Sequence, residues 1–138
     1  MVSDVILNKV QVIERCMNRI NEVYDNNPDN LQDLTKQDSI VLNLQRLCEA
    51  SIDLAMHIVS ERKLGIPQSS RDAFDMLEKV GIIEASMAKN LKAMVGFRNI
   101  AVHDYQSLDL IVIQKIIEAQ LDEIKAFSKK VVALAFDN

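Results

Sequence analysis

A chain of 138 residues, 49% apolar and 26% charged, can bury a core unaided and is too apolar for disorder. Only 3 Gly and 2 Pro argue against an all-β fold, and abundant Leu, Ile, Ala, Lys, Glu and Gln favour helices. A net charge of −4 argues against general nucleic-acid binding, so any such role needs a local basic patch.

No apolar run approaches the ~20 residues of a bilayer span, and the N-terminus lacks a signal-peptide pattern. A cytoplasmic protein is expected. Cys16 and Cys48 sit in apolar helical patterns without CxxC spacing and are expected to be reduced core residues. With no paired Cys, and with His57 and His103 far apart, no metal site is expected.

Leu7, Val10, Ile13, Met17, Ile20 and Tyr24 recur at helical spacing and predict a first helix over about Val5 to Tyr24. The Asp25-Asn26-Asn27-Pro28-Asp29-Asn30 cluster stops it. A second helix is predicted from near Thr35 to about Leu64, ended by Gly65 and Pro67. Its apolar stripe runs from Ile40 through Leu44, Leu47, Cys48, Ile52 and Ala55 to Val59. Its polar members include Gln45, Glu49, Asp53 and His57, and a solvated face explains them simply. A sharper alternative has Glu49 or Asp53 bracing an arginine farther along the chain.

Ser69-Ser70-Arg71-Asp72 resembles a capping box and predicts a short third helix, closed by Gly81. Arg71 is read as a surface arginine, with anion contact as the alternative. A fourth helix is predicted from near Ser86, with Met87, Leu91, Met94 and Val95 inward. Ser107 is predicted to begin the last helix, whose apolar face runs from Leu110 to Leu134. The expectation is a single domain over residues 1–138, an all-α up-and-down bundle of four to five helices with antiparallel neighbours.

The junction between the last two helices reads Arg98-Asn99-Ile100-Ala101-Val102-His103-Asp104-Tyr105. It gathers an arginine, one of 2 histidines and one of 2 tyrosines. In an unbroken helix, residues five apart differ by about 140° in azimuth, so Arg98 and His103 would not share a face. If the helix ends or tightens near Ala101-Val102, with Ile100, Ala101 and Val102 packed inward, both can point to one cleft. An imidazole exchanges protons near neutral pH, and a guanidinium offers forked donors to phosphate oxygens. Together they suffice for metal-free cleavage of an RNA phosphodiester. The base takes the 2′-OH proton, the hydroxyl attacks phosphorus, and arginine stabilises the developing charge. One histidine acts as base or acid at a given moment, and a symmetric dimer would bring two. The spacing alone also fits a hydrogen-bonded cap at His103-Asp104 and a half-buried Tyr105.

This segment resembles the R-x4-H-x-Y signature of HEPN-domain proteins of the HepT toxin type. The likeness extends to MVGFRN, GIPQSSRDAF and LNLQRLCEASIDLA, and so covers most of the chain. It implies a HEPN-like homodimer whose two motifs meet at the interface in one composite, metal-independent ribonuclease site. It further implies a toxin of a type VII toxin–antitoxin pair. The partner would be a minimal nucleotidyltransferase (MNT) antitoxin that transfers AMP from ATP to the motif tyrosine. Carried over by position, Arg98 and His103 are the catalytic pair and Tyr105 is the AMPylation site. Glu49, Asp53, Asn99 and Asp104 are candidate supporting residues. No cofactor is expected in this chain, because ATP belongs to the partner. A non-catalytic helical partner of a nucleotidyltransferase is the alternative from another class. A helical dimer binding a nucleotide or small anion at Arg98 is a third.

Overall fold

A computed structural model describes residues 3–136. Helix α1 (Asp4–Tyr24) opens on Ser3, whose hydroxyl accepts from the Val5 N–H at 3.1 Å. It stops where Asp25 and Asn26 adopt left-handed φ of 51° and 53°, a conformation Asp and Asn tolerate better than most residues. The Asn30 amide then donates to the Tyr24 carbonyl at 2.7 Å, satisfying an acceptor left free at the helix end.

A 3-10 turn (Pro28–Gln32) leads into α2 (Leu34–Glu61), capped by the Asp33 carboxylate on the Lys36 N–H at 3.0 Å. Helix α2 stops short of the predicted Leu64, and its left-handed residue is Lys63 (φ 55°), ahead of Gly65. The Leu64 N–H closes the end on the Val59 carbonyl at 3.0 Å, so a Schellman-type bond and not the glycine terminates the helix.

Helix α3 (Ser70–Lys79) carries the predicted cap. The Ser69 hydroxyl accepts from the Asp72 N–H at 3.2 Å, and the Asp72 carboxylate accepts from the Gln68 N–H at 2.9 Å. The return bond lands one residue earlier than in a standard capping box. Gly81 closes α3 at φ 80°, with the Ile82 N–H on the Leu77 carbonyl at 2.9 Å.

Helix α4 (Ala85–His103) runs to the motif, followed by a 3-10 turn (Tyr105–Ser107). The last helix starts at an Asp109 cap rather than at Ser107 and proceeds as α5 (Leu110–Lys115), a π-turn (Ile116–Gln120) and α6 (Leu121–Phe136). Its apolar positions keep a mean spacing of about 3.6, so the pattern does not announce the π-turn. The π-turn lies where the Tyr24 hydroxyl of α1 donates to Glu118. The expected all-α bundle is therefore present, with no strand among the described residues.

The pairing of α1 with α2 is the most extensive in the bundle. Lys9 meets Asp53 at 3.0 Å while Cys16 senses Arg46, so positions rise on one helix as they fall on the other, and the pair is antiparallel. The exposed ion pair contributes at most about 1 kcal/mol. Each fully buried side chain, such as Ile13, Ile20, Leu44 or Leu54, contributes about 1.5–3 kcal/mol. Packing, not charge, holds the pair. The core continues to Leu77, Leu91, Met94 and Phe127, with Phe74 and Phe127 edge-to-face at 5.8 Å. Its buried polar side chains Asn43, Ser51 and Ser128 donate to carbonyls of their own helices, so these three are satisfied. Both cysteines are buried and unpaired, and no helix described is long and apolar enough to cross a membrane.

Gly81→Ala is expected to lower unfolding stability by about 1–2 kcal/mol, because alanine at this left-handed φ carries a steric cost. A shift in the urea midpoint with unchanged slope checks it.

Candidate functional site

Helix α4 stays regular from Arg98 through His103, and Asp104 and Tyr105 lie beyond its end. The Asp104 N–H still donates to the Ile100 carbonyl at 2.8 Å, so the helix does not end or tighten at Ala101-Val102, the condition for turning both side chains to one cleft. Arg98 and His103 consequently differ by about 140° around one helix. Arg98 is half-buried beside α2, close enough that its charge acts on the Cys48 thiol. Burial nevertheless dominates there and pushes that thiol up to about 12. His103 is exposed at the helix end. Of the three apolar residues between them, only Ala101 is buried. Ile100 and Val102 are 44% and 47% exposed, which corrects the expectation that all three pack inward.

The proposed braces lie elsewhere. Asp53 pairs with Lys9 at 3.0 Å, and Glu49 accepts from the Gln45 amide at 3.1 Å. Neither forms an ion pair with Arg98 among the described residues, whose Nε is buried without an acceptor. His57 stands 3.0 Å from Glu61 along its own helix. Arg71 is exposed, as expected of a surface arginine, and its Nε donates to the Lys92 carbonyl at 3.4 Å. Asn99 is exposed on α4. Asp104 acts locally, its carboxylate accepting from the Ser107 hydroxyl and its carbonyl from the Ser107 N–H at 2.9 Å. Both bonds close the turn that aims Tyr105.

The contact that sequence reasoning missed is Asp38, in the second turn of α2. The Tyr105 hydroxyl donates to its carboxylate across 67 positions of sequence. No local signal marks Asp38, since its role exists only once α4 ends beside the start of α2. Tyr105 stays 39% exposed, and its hydroxyl is pushed up to about 12 by desolvation first, then by the hydrogen bond to Asp38 and its negative charge. Tyr24, the other tyrosine, is 2% exposed and tied to Glu118. Only Tyr105 presents its ring to solvent.

Next to the motif, α4 and the last helix leave an apolar groove of about 350 Å3 lined by Phe97, Ile100, Leu108, Val112 and Ile116. Ile111 and Val112 beyond it are 75% and 46% exposed. This concentration of apolar side chains around a polar motif is what a protein–protein interface exposes when its partner is absent.

Residues 13–131 match the model of the HepT-like ribonuclease family. The chain belongs to that family, as the likeness around Arg98, His103 and Tyr105 implied. It is 49% identical over 125 residues to the mRNA nuclease HepT of Shewanella oneidensis, covering 91% of this chain and 94% of that protein. Among solved structures it resembles a tri-AMPylated Shewanella oneidensis HEPN toxin in complex with MNT antitoxin. There the TM-score is 0.90 at 47% identity, over 95% of this chain and 98% of the other. A toxin–antitoxin structure with AMP-PNP matches with TM-score 0.91 at 46% identity, over 95% and 99%.

Replacing Asp38 with Asn is expected to move Tyr105 ionisation down from about 12 toward the ordinary value of about 10. The sign follows because the carboxylate favours the protonated phenol both as acceptor and as negative charge. The burial contribution persists, so the shift is partial. NMR titration of 13C-labelled tyrosine, with Tyr24 as internal reference, measures it.

Proposed function

We propose that the chain is a ribonuclease toxin that cleaves RNA as a homodimer and is silenced by AMPylation of Tyr105. The observation that carries this reading is the complete Arg98, His103 and Tyr105 set at the solvent-facing end of α4, in a chain of the HepT-like ribonuclease family. The nucleases and toxin–antitoxin complexes it resembles support the same activity and an MNT partner.

Because one helix points Arg98 and His103 about 140° apart, one protomer alone presents them on different faces. Two copies packed through the apolar surface around Ile100 and Val112 would set the motif of one against that of the other. In the composite cleft one imidazole takes the 2′-OH proton and the second protonates the leaving 5′-oxygen. The Arg98 guanidinium stabilises the charge that accumulates on phosphorus oxygens. Two such arginines supply locally the cation that a net charge of −4 denies the surface as a whole. The chemistry needs neither a metal nor a cofactor, and the site of action is the cytoplasm, where RNA and ATP meet the pair. An adenylate on Tyr105 adds anionic bulk beside the cleft, blocking RNA by volume and by repulsion.

The test is expression of wild type, Arg98→Ala, His103→Ala and Tyr105→Phe without any partner, with growth followed beside cleavage of bulk RNA in EDTA. Wild type arrests growth and cuts RNA. His103→Ala loses about 100- to 10,000-fold of the cleavage rate and Arg98→Ala about 100- to 1,000-fold, both still folded. Intact RNA with AMP-free wild type would move the reading to a non-catalytic partner of the nucleotidyltransferase.

Ile100→Asp places a charge in the proposed interface. Light scattering is expected to find single copies, with unchanged helical circular dichroism and cleavage reduced at least tenfold. A stable, fully active dimer of this variant would remove Ile100 from the interface.

A further inference from the structure

We propose that Asp38 is the proton acceptor for Tyr105 during AMPylation, a catalytic residue that the modified chain itself supplies. The proposal rests on the reading of Tyr105 as the AMP acceptor.

Each of the 2 tyrosines donates its hydroxyl to a carboxylate, but the two pairs differ in access. Tyr24 and Glu118 join α1 to the π-turn with the ring 2% exposed, so that pair serves to hold two helices together. Tyr105 is 39% exposed, and Asp38 borders an open cleft between α1 and α2 with Arg15 and Arg46 on its walls. The pair therefore faces solvent on the side from which a partner can deliver a triphosphate.

A phenol attacks phosphorus poorly while it keeps its proton. With its ionisation raised to about 12, only about one Tyr105 in 10,000 to 100,000 is phenolate near neutral pH. Transfer at a useful rate needs a base already within hydrogen-bond reach of that proton. Asp38 meets the geometric requirement. The neighbouring carboxylate of Asp104 is engaged by the Ser107 hydroxyl instead.

In the transfer step, Tyr105 Oη forms a bond to the α-phosphorus of ATP held by the nucleotidyltransferase, and the bond from that phosphorus to the bridging oxygen breaks. Pyrophosphate leaves with the electron pair. The phenolic proton passes to the Asp38 carboxylate and then to solvent. The product tyrosine has no proton to donate, and its phosphodiester is anionic, so its contact with Asp38 becomes repulsive. The modified side chain is thereby driven from its resting place.

The test uses the full chain with its nucleotidyltransferase partner and magnesium-ATP, reading single-turnover AMP addition by intact mass from about pH 6.5 to 10. Wild type, Asp38→Asn, Asp38→Glu and Tyr105→Phe are compared, with folding checked by circular dichroism. Asp38→Asn is expected to slow transfer about 100-fold or more near pH 7, the deficit shrinking as pH approaches the ionisation of the tyrosine itself. Asp38→Glu recovers most of the rate. Asp38→Ala adds a second arm, because added formate restores its rate when a carboxylate takes the proton. Equal rates for wild type and Asp38→Asn, a deficit independent of pH, or no formate rescue would each overturn the proposal. If wild type takes up no AMP, or Tyr105→Phe takes it up at the wild-type rate, the reading of Tyr105 fails first and the proposal falls with it.

Discussion

The Asp104 N–H donates to the Ile100 carbonyl at 2.8 Å, and through that bond α4 remains a helix as far as His103. A rigid rod advances about 100° per residue, so it cannot turn Arg98 and His103 to the same side. Seating the rod by burying Leu91, Met94, Val95 and Phe97 decides the rest. Arg98 must lie along α2, His103 must stand free, and Ile100 and Val102 must face out. Hydrophobic exposure beside the polar motif is thus a direct consequence of helix continuity.

Helix α2 serves both ends of the motif. It meets Arg98 near Cys48 and Tyr105 at Asp38, ten residues or about 15 Å apart along its axis. The two contacts differ in kind. At Cys48 the environment is fully buried and the guanidinium is held by packing, its Nε without an acceptor. At Asp38 the contact is polar and reachable, and the Asp104–Ser107 turn holds the ring over it. One scaffold helix therefore keeps the Arg98 cation half-sheltered while leaving the Tyr105 hydroxyl open. The two side chains are neighbours in sequence but lie in environments of different polarity.

Much of this was readable from the residue order, for physical reasons that are local. Apolar positions at helical spacing marked every long helix, since a stripe that buries Ile13, Ile20 or Leu44 is a property of its own segment. Ser69 and Gly81 announced their ends because caps and left-handed turns depend on a few adjacent residues. Less local features were misread. Gly65 looked like the terminator of α2, but Lys63 took the left-handed position. The π-turn left no trace in a regular apolar pattern. One cleft for Arg98 and His103 required the helix to end or tighten near Ala101-Val102, and its backbone hydrogen bonds ran on to His103.

The candidate chemistry, an arginine, a histidine and a tyrosine within eight residues, was determined by sequence alone, because covalent order places those groups together whatever the fold. What each faces was decided only by tertiary structure. Asp53 went to Lys9 rather than to Arg98, and Glu49 accepted from Gln45 on its own helix. Asp38, 67 positions from Tyr105, became its hydrogen-bond acceptor. Such partnerships depend on how two helices are set against each other, and that setting is the solution of the whole core's packing. No window of sequence contains it.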